Sequence, residues 1–221
     1  CYGEPLLETV WEGLISEELI NEVVRRVLTA KLHLGLFEDE IYINPVLVPS
    51  LLDPEENRQL ALEIAQASII LLKNDGLLPL KKDLKTLVII GPNAREGLHL
   101  HGDYSYSVHI PSVQAWKGKK AVWQDSVNTV NIFEGIKNKL PQGEVLYAKG
   151  CDLSGNSQEG FEEALEIAKK AQVIVAVMGE NSGLFQQSIS GEGSDRSDLE
   201  LPGMQGKLLR ELSRLSKAII L

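Results

Sequence analysis

Cysteine is scarce. The 221 residues contain two, Cys1 and Cys151. Cysteines so far apart make neither a metal motif nor a disulfide framework, and Cys151 reads as a small apolar residue after a strand. Long apolar runs are missing too. The longest fall well short of the roughly 20 residues that span a bilayer, so no membrane partner is expected. The start has no basic segment followed by an apolar stretch, so no signal peptide is read; the compartment stays open, with a lean to the cytoplasm. Basic residues are outnumbered, 22 Lys and Arg against 31 Asp and Glu, for a net charge of -9. An acidic surface repels phosphate backbones, which argues against nucleic acid. Residues 90–94, Ile-Gly-Pro-Asn-Ala, carry a single glycine. They form neither a dinucleotide fingerprint nor a phosphate loop. No cofactor is implied.

What is present is ordinary globular material, 43% hydrophobic and 24% charged. Leu19, Ile20, Val23, Val24, Val27, Leu28 and Leu32 recur at helical spacing after Ser16, a plausible N-cap, and before Gly35, a natural stop. The broad apolar face of this helix predicts association of the chain in isolation. Residues 37–52 are broken by Pro45 and Pro49 and read as an extended linker. A second helix is expected from Pro54, with Leu60, Ile64, Ala67, Ile70 and Leu71 on its face and its end near the turn signature Asn74-Asp75-Gly76. Thereafter short apolar runs at 87–90, 145–148, 173–178 and 218–221 alternate with amphipathic stretches at 132–140, 159–171 and 202–215. A loop-rich stretch fills the interval after residue 91. The alternation predicts an α/β fold: a parallel sheet with helices on both faces, preceded by a terminal helix and an extended linker.

Ligands of open α/β sheets bind beyond the carboxyl ends of the strands. The loop after the third strand is the informative one. Gly191 and Gly193 flank Glu192 and free the backbone to present that carboxylate without bulky neighbours. Glu192 is therefore the candidate catalytic residue, although a polar glycine-rich loop is more often merely solvated. Glu180, at a strand end, is the second carboxylate candidate, or else a loop residue bonding nearby amides. Asp195, Arg196 and Asp198 read as a salt-bridged turn capping the following helix. His99 and His101, two apart, have a spacing that suits a metal on a strand, but no third ligand is near and loop histidines are usually solvated. Tyr104, Tyr106, Trp116 and Trp123 are candidates for stacking on a sugar ring, or core and loop anchors.

These motifs together resemble glycoside hydrolase family 3. The segment from Leu14-Ile15-Ser16-Glu17-Glu18 to Gly35-Leu36-Phe37-Glu38 resembles the last helix and exit of that family's barrel domain. Ile70-Leu71-Leu72-Lys73-Asn74 and Leu77-Leu78-Pro79-Leu80 resemble the start of its second domain. Ile89-Ile90-Gly91-Pro92-Asn93-Ala94, Gly102-Asp103-Tyr104-Ser105, Ala148-Lys149-Gly150-Cys151, Gly191-Glu192-Gly193-Ser194-Asp195-Arg196 and Leu201-Pro202-Gly203-Met204-Gln205 follow in the family's order. Detail is closest to the β-xylosidase and β-glucosidase branch.

The resemblance implies the end of a (β/α)8-type barrel at 1–37, a linker at 38–53 and an α/β sandwich domain, truncated, at 54–221. It implies retaining, exo-acting hydrolysis of terminal β-D-xylosyl or β-D-glucosyl residues from an oligosaccharide or aryl β-glycoside. Glu192 falls on the general acid/base. The nucleophilic aspartate belongs to the missing barrel, so the chain alone is predicted to be inactive. Both ends read as cut. An oligomer remains open, and a non-catalytic carbohydrate-binding module is the alternative reading.

Overall fold

The computed structural model describes residues 3–38, 44–122, 129–184 and 188–221. Cys1, Trp123 and part of the expected linker lie outside the described residues. The chain divides into two compact units, Cys1–Ile69 and Ile70–Leu221. The expected second domain began at residue 54, whereas this division falls at 70.

The first unit is helical. Helix α1, Glu4–Trp11, was not anticipated; its cue is Pro5 in the first turn, where a missing N–H costs nothing. Helix α2, Glu17–His33, begins as expected at Ser16, whose hydroxyl accepts from the Leu19 amide at 3.3 Å. Its ends suit the helix dipole, with Glu17 and Glu18 in the first turn and Lys31 and His33 in the last. Val23, Val27 and Leu32 on its apolar face are 48–57% exposed.

The linker expectation needs correction, because its described part is helical rather than extended. A 3-10 turn spans Pro45–Leu47 and helix α3 spans Val48–Leu52. Each proline occupies a first turn, so it starts a helix instead of breaking one. Helix α4, Glu55–Ser68, has Pro54 as its N-cap. It stops short of the turn at Asn74. Ile69 is already extended, and Ile70 and Leu71 lie outside the helix face assigned to them. The turn itself is present: Asn74 Oδ1 accepts the amides of Gly76 and Leu78 at 3.2 and 3.0 Å.

The second unit is built on four parallel strands in the order β2-β1-β3-β6. They are β1 (Thr86–Ile90), β2 (Glu144–Ala148), β3 (Val173–Ala176) and β6 (Ala218–Ile220). Every strand was legible as an apolar run; β3 ends two residues before the expected Met178. Leu87 and Ile89 pack on one face, against Phe133 of α6 (Ile132–Lys139). Val88 and Ile90 pack on the other, against Ala164 and Ala168 of α7 (Phe161–Ala168) and Leu208 and Leu212 of α8 (Gln205–Ser213). Helices therefore cover both faces, and β1 is buried on each, as its unbroken apolar sequence requires.

The interval after β1 is more ordered than expected. It contains a 3-10 turn, Gly97–Leu100, and helix α5, Tyr106–Trp116, which carries His109 and Trp116. Pro111 lies inside α5 and its apolar residues make no single stripe, so the helical period was masked. Val108, Pro111 and Ser112 bury it against the rest of the unit.

Candidate functional site

Parallel register sets three strand ends level. Ile90 lies opposite both Ala148 and Ala176. The chain leaves β1 through Gly91, whose amide donates to Ala148 O at 3.2 Å. A Cβ at Gly91 would collide with the carbonyl of Val177, and its φ of +143° suits glycine alone. The loops after β1 and β3 therefore run side by side from their first residues.

The loop after β3 turns back on itself. Strand β4 (Ser182–Leu184) and strand β5 (Ser190–Glu192) pair in parallel, with Leu184 opposite Glu192. Glu192 was expected in a loop; it ends a short strand instead. It is exposed, and among the described residues its carboxylate makes no hydrogen bond or ion pair.

Three anchors hold this ribbon. Asn181 Oδ1 accepts the amide of Ile189 at 3.2 Å. The Ser182 hydroxyl donates to Asp103 Oδ1. Gly191, at φ +126°, crosses so close to Gly183 that a Cβ would overlap the Gly183 carbonyl and stand 2.8 Å from Asp103 Oδ2. One carboxylate thus backs both strands beside Glu192.

Below the ribbon, Gln205 is fully buried and wholly used. Its Oε1 accepts from Gly179 N at 2.8 Å, and its Nε2 donates to Gly179 O at 2.8 Å and Leu153 O at 2.9 Å. The start of α8 thereby clamps the loops after β2 and β3. Neither Gln205 nor Asp103 was singled out from sequence, except as letters of longer motifs. A glutamine two residues after a Pro-Gly pair is the signal the sequence carries.

The other candidates separate. Glu180 is engaged: Arg196 Nη1 donates to its Oε1 at 2.5 Å, while Arg196 Nη2 bonds Asp198 and Glu200 O, the latter at 2.7 Å. Arg196 and Asp198 do form a salt-bridged turn, but it does not cap α8, whose N-cap is Met204 without a side-chain bond. The turn ends at Glu200, held by Asp198 Oδ1, before Pro202 sets the helix start. Asp195 lies exposed beside it.

His99 and His101 turn to different partners. His99 Nδ1 meets Asn93 Oδ1 at 2.7 Å, and His101 Nε2 meets Thr129 Oγ1 at 2.8 Å. No cluster of three or more His, Cys, Asp or Glu side chains suited to a metal occurs among the described residues. Burial pushes the His99 imidazole below the usual histidine range; Glu96 opposes this and Lys149 adds to it. Asn93 Nδ2 reaches on to Glu180 O at 3.4 Å, tying the loop after β1 to the loop after β3. Tyr104 and Tyr106 are 69% and 72% exposed, and the Tyr104 ring stacks on His109 with centroids 5.5 Å apart. Among the described residues no helix is long and apolar enough to cross a membrane.

Comparison with known proteins gives a consistent picture. Residues 69–221 match the glycosyl hydrolase family 3 C-terminal domain. The chain is 34% identical over 225 residues to a β-xylosidase of Formosa agariphila, covering 97% of this chain and 28% of that protein. Among solved structures it resembles an exo-β-xylosidase bound to a xylobiose aziridine activity-based probe, with TM-score 0.68, 29% identity and coverage of 96% of this chain and 24% of the other. It also resembles a β-glucosidase involved in saponin metabolism from intestinal bacteria, with TM-score 0.76, 27% identity and coverage of 95% and 29%. The chain thus spans about a quarter of the length of these relatives.

Proposed function

The chain belongs to glycosyl hydrolase family 3, and on that premise we propose that Glu192 is the general acid/base of a retaining β-glycosidase acting on terminal β-D-xylosyl or β-D-glucosyl residues. The observation that carries this reading is the contrast between two carboxylates. Glu180 is occupied by Arg196, whereas Glu192 stands exposed at the tip of an anchored ribbon beyond the carboxyl ends of the strands.

In such a reaction the acid protonates the departing glycosidic oxygen while a second carboxylate attacks the anomeric carbon. The same residue then takes a proton from water as the glycosyl-enzyme is hydrolysed. The two carboxyl groups must stand about 5–5.5 Å apart. The attacking aspartate is assigned to a barrel domain elsewhere in the protein, so the 221-residue chain alone is inactive in this reading. Asp103, Asn181 and Gln205 support it by fixing the backbone from which Glu192 projects.

The test is made on the full-length protein and its Glu192→Ala variant, with aryl β-xyloside, β-glucoside and α-arabinoside. Substrates with poor leaving groups should lose most rate, because they depend on the acid. Azide should restore turnover and give a glycosyl azide, since a small anion replaces water that needs the base. Undiminished hydrolysis by the variant would overturn the assignment.

A further inference from the structure

The strand order places a switch point between β1 and β3: the connection after β1 leads to β2 on one side, and that after β3 leads to β6 on the other. Diverging loops at such a point leave a crevice. Here a cavity of about 300 Å³ opens between the loop after β1, helix α5 and the β4–β5 ribbon. That volume lies at the small end of ligand sites.

The cavity has unspent hydrogen-bonding capacity. Ser112, on α5, is 1% exposed and its Oγ has no hydrogen-bond partner among the described residues. Ser188, across the cavity, likewise has a buried Oγ without a partner among the described residues. Buried hydroxyls left unpaired are costly, and a native structure that keeps two at one cavity calls for an occupant. His99 also lines the space. Its Nδ1 faces Asn93 Oδ1, so Nδ1 carries the proton and Nε2 is the free acceptor. Asn181 lines it too, with Oδ1 spent on Ile189 N and Nδ2 left to donate. Leu98 and Val108 provide an apolar wall.

The charge pattern restricts the class of ligand. Glu96 is the one ionised side chain in the described lining, and no Lys or Arg accompanies it. An anion would meet the Glu96 carboxylate with no cation in that lining to balance it. One acceptor, one amide donor and two hydroxyls that both donate and accept, set against an aliphatic wall, complement vicinal hydroxyls on a C–H face.

We propose that this switch-point cavity binds a neutral, hydroxyl-rich ligand the size of one pyranose, at a site separate from the exposed carboxylate of Glu192. The proposal stands whether or not Glu192 is the acid/base, because it rests on the cavity alone. Ser182 and Gly183 belong to both the cavity wall and the ribbon, so an occupant would brace the ribbon from its inner side.

D-xylose and D-glucose are the probes, added to the full-length protein carrying labelled Leu and Val methyl groups. Leu98 and Val108 methyl signals should shift saturably with sugar, and a soaked crystal should show one ring between Ser112 and Ser188. Ser112→Val, which fills the space, should weaken the titration at least about tenfold. Ser188→Ala, at a half-buried position that tolerates truncation, should weaken it about fivefold. Glu192→Gln should leave it unchanged. Methyl signals indifferent to sugar, ordered water alone in the cavity, or equal titrations for wild type and Ser188→Ala would each overturn the proposal.

Discussion

Asp103 and Ser182 are 79 residues apart in the chain and meet through a hydrogen bond from the Ser182 hydroxyl to Asp103 Oδ1. The second carboxylate oxygen lies against Gly191, the neighbour of Glu192. A residue of the β1 loop thus fixes where the β5 carboxylate stands. If Glu192 is the acid/base, Asp103→Ala should lower kcat/KM of the full-length protein about tenfold, because small misplacements of a reacting group are expensive. Asp103→Asn keeps an acceptor and should recover most of that loss. Steady-state kinetics on one aryl β-glycoside decides it.

Gln205 should matter for stability before it matters for rate. Gln205→Leu keeps much of the volume but leaves Gly179 N–H, Gly179 C=O and Leu153 C=O without their partner at partly buried positions. Unsatisfied buried groups cost about 1–3 kcal/mol each, partly relieved by relaxation, so a loss of about 3 kcal/mol is expected. Urea denaturation measures it, and a change under 1 kcal/mol would be too small for the clamp described.

Gly91→Ala should be worse than an ordinary surface change. The methyl group has no room beside Val177 O, and the residue sits at positive φ. Strain of this kind costs about 1–3 kcal/mol before any overlap is counted. Expression of folded protein should fall, whereas Gly118→Ala, also at positive φ but with open space around it, should be tolerated better.

Stability should also respond to mild acid through His99. Its folded pKa is lowered, chiefly by burial, so the unfolded chain takes up the proton first as pH falls. Stability is then full above the ordinary histidine value of about 6.5 and declines below it, until the folded form is protonated as well. His99→Gln should flatten the stability–pH curve in that window. Thermal melts from pH 8 to 5 test the slope.

The 221-residue chain expressed alone should self-associate. Val23, Val27 and Leu32 present an exposed apolar stripe on α2. Replacing Val23 and Val27 by Glu should shift its elution toward a monomer on size exclusion.

Much of the architecture was legible because it rests on local pattern. The runs at β1, β2 and β3 are apolar on both faces, which only a doubly covered strand explains. Ser16 marked the start of α2 through its own side chain. The linker differs from expectation because Pro45 and Pro49 open helices rather than break them, and α5 differs because its apolar residues follow no single helical stripe. The position of Glu192 between two glycines was visible, but its anchoring was not. Asp103, Asn181 and Gln205 bond to groups distant in sequence or to main chain, and no spacing rule encodes those partners.

The strand order carries a consequence for biosynthesis. Strand β1 lies between β2 and β3, yet its partner β3 is translated after β2, α7 and the connections between them. On the ribosome, the β1–β2 pair has one edge of the central strand open until residues 173–176 emerge. That edge bears Leu87, Val88, Ile89 and Ile90, an aggregation-prone template while it waits. Nascent chains halted before β3 should therefore be more avid clients of chaperones than chains extended through β6, which covers the outer edge of β3 in turn.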